Sequence, residues 1–99
     1  MTFVTTQPEM LTSAAGQLQS VGTAIAAQNA AIASPTTGVI PAAADEVSAL
    51  TAAQFANHAQ MYQAVSAQAA AMHEMFVRIL SASAGSYATT EAANAVAAL

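Results

Sequence analysis

Two long stretches without charge constrain this chain more than any other feature. No Asp, Glu, Lys or Arg lies between Glu9 and Asp45, and between Glu46 and Glu74 only the histidines His58 and His73 interrupt the uncharged run. Both stretches are alanine-rich and carry scattered Gln, Ser and Thr. Ser34-Pro35-Thr36-Thr37-Gly38-Val39-Ile40-Pro41 separates them. They read as two helices with too little charge for an independent soluble hairpin and too many amides for membrane spans. Such a chain is completed by a partner.

Composition supports that reading. Ninety-nine residues hold one domain at most. Hydrophobic residues make up 56% of the chain, but alanine dominates them, so a lone two-helix unit buries little apolar surface and has marginal stability. One basic residue, Arg78, against five acids gives a net charge of −4. That excludes phosphate neutralisation on a nucleic acid and a basic membrane-surface helix. With no cysteine, neither a disulfide framework nor a thiolate metal site can form. The segment Met1 to Glu9 lacks the basic region and apolar run of a secretory signal peptide. Gln17, Gln19, Ser20, Thr23, Gln28 and Asn29 break up the first uncharged run, so no transmembrane segment is expected.

The expected fold is all-α, an antiparallel two-helix hairpin. Helix 1 is expected over about residues 7–33. Thr6-Gln7-Pro8-Glu9 fits a capping box, Pro8 suits a first turn, and helix 1 stops before Pro35. Leu11, Leu18, Ile25 and Ile32 recur every seven residues and form one narrow stripe. A loop over 34–40 reverses the chain. Helix 2 is expected over about 41–84, restarted by Pro41, with Asp45 and Glu46 in its first turn, Arg78 near its end and Gly85 as a left-handed terminator. A tail over 85–99 follows.

Helix 2 has the broader apolar surface. Leu50, Met61, Met72, Met75 and Ile79 line one edge, and Phe55, Tyr62, Val65, Phe76 and Leu80 the adjoining one, together about 160° of the wheel. Ala49, Ala56, Gln60, Gln63, Ala67, Glu74 and Arg78 fall on the opposite face. The helix 1 stripe is expected to cover about half of the arc. The Phe55, Tyr62, Val65, Phe76 and Leu80 edge, with Leu11, Leu18 and Ile25 of helix 1, is assigned to the partner interface.

No constellation for chemistry emerges. His58 and His73 are about four turns apart and cannot share a metal within one helix. His73-Glu74-Met75-Phe76 begins like a zinc-protease motif but has no second histidine at the required spacing. Asp45 and Glu46 complement a helix dipole. No catalytic set, cofactor site or metal site is assigned, and the chain is not expected to be an enzyme. In the tail, Tyr87 and Glu91 are spaced to project from one side if helical.

Taken together, several segments resemble the mycobacterial PE family: Pro8-Glu9, the stretch Pro35 to Val39, the run Pro41 to Ser48, Gln68 to Phe76, and Gly85 to Glu91. The resemblance covers nearly all 99 residues, and the chain resembles a bare PE domain. It implies a hairpin that pairs with a PPE-family protein into a four-helix bundle, a heterodimer exported by a type VII (ESX) secretion system. The family's export motif, Tyr-x-x-x-Asp/Glu, maps onto Tyr87 and Glu91, and Pro8 and Glu9 are its eponymous pair. The resemblance also implies a secreted or cell-envelope location without a cleaved signal, and a chaperone that recognises the PPE chain. Two rival readings are a self-associating four-helix structural protein and a component affecting membrane permeability.

Overall fold

The computed structural model describes residues 4–99, so the Met1-Thr2-Phe3 part of the segment read for a signal peptide lies outside the described residues. The fold is all-α. Helix α1 (Pro8–Thr37) and helix α2 (Glu46–Ala97) pack antiparallel as a hairpin. Their packing divides into two units, one of the chain up to Gly22 with His73–Leu99, the other of Thr23–Met72.

Helix 1 starts where expected, and the other three helix ends depart from the sequence expectation for local reasons. At the start of α1, the Gln7 carbonyl accepts from the Met10 N–H at 3.0 Å, and Pro8 occupies the first helical position, where its missing N–H costs nothing. The expected capping box does not form, because the Thr6 N–H and hydroxyl both donate to Glu91. At the other end, α1 continues through Pro35 to Thr37 instead of stopping at residue 33. The hydroxyls of Thr36 and Thr37 donate back to the carbonyls of Ile32 and Ala33, and the Gly38 N–H closes the last turn on Ser34.

Helix α2 begins at Glu46, not Pro41, and Asp45 is its cap and not a first-turn residue. The Asp45 carboxylate accepts from the Ser48 N–H at 2.6 Å and its carbonyl from the Ala49 N–H at 3.1 Å. Pro41 and the alanines after it stay in the connection. Gly85 does not terminate α2, since no glycine has positive φ and the helix runs on to Ala97. The residues read as a tail are therefore helical, and Arg78 is far from the last turn. Its pair with Glu74, 3.5 Å apart and well exposed, contributes little to stability.

The packing seams are built mainly from small and polar residues, joined in one unit by Leu11, Leu18, Val77 and Leu80. In the unit of Thr23–Met72, the residues of α2 turned from solvent are Ser48, Ala52, Ala56, Ala59, Gln63 and Ser66, spaced three or four apart, and Asn29, Ala33, Thr36 and Thr37 are those on α1. There the Gln63 side chain donates to the Asn29 carbonyl at 3.1 Å, and the Tyr62 hydroxyl donates to Asn29 Oδ1 at 2.8 Å. In the other unit the seam runs through His73, Val77, Leu80 and Ala84 on α2, against Leu11, Ala15, Leu18 and Gly22 on α1. Ala56 and Gln63, placed by the sequence reading on the face away from helix 1, thus belong to the intramolecular seam. The buried residues among those described are all alanines: Ala15, Ala52, Ala59 and Ala84.

Gly22 and His73 form the tightest point. The imidazole Nε2 lies 2.6 Å from the Leu18 carbonyl, which can only accept, so Nε2 carries the proton. A Cβ built on Gly22 would lie 2.7 and 2.8 Å from Cδ2 and Nε2 of that ring. The ring is held by its hydrogen bond and cannot step aside cheaply. Gly22→Ala should therefore be net destabilising by about 1–2 kcal/mol, its overpacking outweighing the helix propensity of alanine. Gly16→Ala, with nothing within 4 Å, should stabilise by up to ~1 kcal/mol. Urea unfolding of the two variants checks both signs.

The cap makes a pH prediction. Hydrogen bonds from the Ser48 backbone and side chain hold the Asp45 carboxyl below its ordinary value. A depressed folded pKa contributes stability above the unfolded value, and that stability is lost as pH falls through the folded pKa. Acid titration below about pH 4 should unravel the start of α2 in the parent. Asp45→Ala should show reduced protection of the Ser48 amide already at neutral pH, with no further cap-dependent loss in acid, as followed by amide hydrogen exchange.

Candidate functional site

The close approach of alanine and glycine leaves the large side chains outside. Leu50, Phe55, Met61, Val65, Met72, Met75, Phe76 and Ile79 of α2 are all exposed, Phe55 at 62% and Phe76 at 54%. The sequence reading had helix 1 covering half of this arc, but helix 1 leaves nearly all of it open. The reason is rotational: the seam follows the small residues, and the bulky row lies on other sides of α2. Leu80 is the exception, half-buried beside Val77 in the seam.

The structure splits the residues assigned to a partner. Phe55, Val65 and Phe76 stand open. Tyr62 is 46% exposed and tied by its hydroxyl to Asn29. On α1, Leu11 and Leu18 are half-buried, whereas Ile25, on the same seven-residue row, is 52% exposed. An ideal helix drifts about 20° per heptad, so a row that starts in a seam walks out of it. Val21, Ile32, Val47 and Met10 are exposed as well, and the sequence reading assigned none of these to the interface.

No helix among the described residues is long and apolar enough to cross a membrane.

The last turns of α2 carry the second candidate feature. Tyr87 is exposed and four residues from Glu91, on the same side of the helix. Glu91 is half-buried, and its Oε1 accepts from the Thr6 N–H at 2.8 Å and the Thr6 hydroxyl at 2.9 Å. Thr6 was read only as a helix cap, and no local signal pairs it with a residue 85 positions away. Pro8 and Glu9 lie in the first turn of α1, Pro8 half-buried and Glu9 exposed. His58 is exposed and His73 is committed to the seam. Among the described residues no group of three His, Asp or Glu could hold a metal ion.

Comparison with known proteins gives this hairpin a lineage. The model of the PE family matches residues 4–94, and the chain belongs to the PE family. It is 65% identical to PE family protein PE13 of Mycobacterium tuberculosis, over 99% of both chains. It is 58% identical to PE family protein PE8 and 60% identical to PE-PGRS family protein PE_PGRS33 of the same species, where the match covers 99% and 96% of this chain but 36% and 19% of those longer proteins.

The open arc yields a direct test. The purified chain should enhance the fluorescence of an apolar-surface dye. The double variant Phe55→Ser/Phe76→Ser should cut that enhancement by at least half, on the order of its share of exposed aromatic area. Helicity by circular dichroism should not change, because neither side chain is in a seam.

Proposed function

We propose that the chain is the small, non-enzymatic subunit of a PE–PPE heterodimer. The observation that supports this most strongly is the exposed arc of α2, from Leu50 to Ile79, on a hairpin whose buried residues, among those described, are alanines. Two helices from a PPE-family protein would cover that arc and complete a four-helix bundle. Phe55, Val65 and Phe76 would fill partner pockets, with Tyr62 and Leu80 at the margin and Leu11, Leu18 and Ile25 along the α1 edge. At roughly 25 cal/mol per Å² of apolar area, such an interface would far exceed what the alanine seams contribute.

The second part of the proposal is export by a type VII (ESX) secretion system, to the cell envelope or beyond the cell, through Tyr87 and Glu91. Family membership and the exposed Tyr87 on a continuous helix support it. The mechanism is recognition rather than catalysis: the tyrosine presents a ring from a rigid helical turn, and the acid fixes the surroundings of that turn.

Co-expression with a PPE protein tests both parts. Tyr87→Ala should yield an intact heterodimer that stays in the cell, with secreted protein reduced at least tenfold. Loss of the heterodimer in that variant would make the tyrosine structural, and normal secretion would remove its signal role. A stable homodimer of the isolated chain that excludes PPE protein would favour the self-associating reading instead.

A further inference from the structure

We infer that Thr6 is a positioning residue for the export signal, so that the signal is a composite of both helices' outer ends rather than a C-terminal motif alone. The inference rests on the proposed role of Tyr87 and Glu91 and deepens it. Both donors of Thr6, N–H and hydroxyl, converge on one oxygen of Glu91. A two-pronged bond to a carboxylate is charge-assisted and directional, which makes it about twice as strong as a neutral contact and fixes the side-chain rotamer. Thr6 sits just before Pro8, whose ring locks the backbone entering α1.

The neighbours make the contact a strap rather than a single bond. Val4 and Thr5 continue beside the last turns of α2 and line a shallow groove with Glu91, Asn94, Ala95, Ala97 and Ala98. The strap therefore lies against the helix one turn beyond Tyr87. Without it, residues 85–97 would be a helix end with no basic residue in its last turn to complement the dipole. Helix ends of that kind fray, and the Tyr87 turn would fray with it. The strap explains why α2 persists past Gly85, where local sequence invites a stop. It also assigns distinct tasks within the motif: Glu91 is bound within the chain and holds the turn, while Tyr87 faces outward for the receptor.

The experiment uses the full chain co-expressed with its PPE-family partner in a mycobacterial host, reading secreted protein, cytosolic heterodimer and amide exchange at Thr6. Thr6→Pro removes both donors, Thr6→Val removes the hydroxyl alone, and Thr6→Ser keeps both. Thr6→Pro should lower secretion at least fivefold with the cytosolic heterodimer intact, Thr6→Val should give a smaller loss, and Thr6→Ser should export like the parent. The double variant Thr6→Pro/Glu91→Ala should export no worse than Glu91→Ala, because both break one contact. In Glu91→Ala the Thr6 amide should exchange at least tenfold faster than in the parent. Normal export of both Thr6→Pro and Thr6→Val, with Glu91→Ala blocked, would overturn the strap while leaving the signal reading standing. Loss of the heterodimer in both Thr6→Val and Thr6→Pro would overturn it too, by making Thr6 an assembly residue. Normal export of Tyr87→Ala and Glu91→Ala would instead overturn the signal reading beneath it.

Discussion

Close contact between small side chains governs this protein. Where α1 and α2 meet, the buried residues among those described are alanines, and at Gly22 even a methyl group would strike the His73 ring. Leu11, Leu18, Val77 and Leu80 reach the contact only half-buried, and the Phe and Met side chains of α2 stay outside it. The choice of small residues at the closest points thus leaves most of the large side chains exposed. Alanine burial returns little hydrophobic stabilisation, since each methyl is worth roughly 0.8 kcal/mol. The hairpin is held together enough to be specific but not enough to be finished.

Polar groups supply the specificity that small residues lack. A seam of alanines with a four-three rhythm could slip by a heptad at little cost, because each alanine resembles the next. The His73 to Leu18 bond, the two donors on Asn29 and the paired donors of Thr6 each have one geometric solution. Buried polar contacts commonly serve as register pins in helical assemblies. Here part-buried contacts of this kind occur in each unit, His73 to Leu18 in one and Gln63 to Asn29 in the other.

Family membership and the fold bear on function in different ways. Membership identifies the lineage, and relatives such as PE8 and PE_PGRS33 carry the same domain within much longer proteins. The exposed arc of α2 and the helical turn of Tyr87, on which the proposed function rests, are both built from residues within the matched segment.

Much was legible in the residues themselves. Two uncharged alanine-rich runs about a Pro-Gly connection determined an all-α hairpin, scattered amides excluded membrane spans, and the width of the helix 2 apolar arc announced an unfilled face. Helix ends were read less well. Pro35 and Gly85 are local breakers, but back-bonding threonines carry α1 past the one, and α2 passes the other to end alongside the strap of Thr6. The choice of inward face was also beyond the sequence. Periodicity ranks faces by hydrophobicity, whereas this hairpin packs by size, so Ala56 and Gln63 went in and Phe55 and Phe76 stayed out. Only the tertiary structure could decide that, and only it could bring Thr6 to Glu91, because a contact across 85 positions depends on the register of two helices rather than on any local pattern.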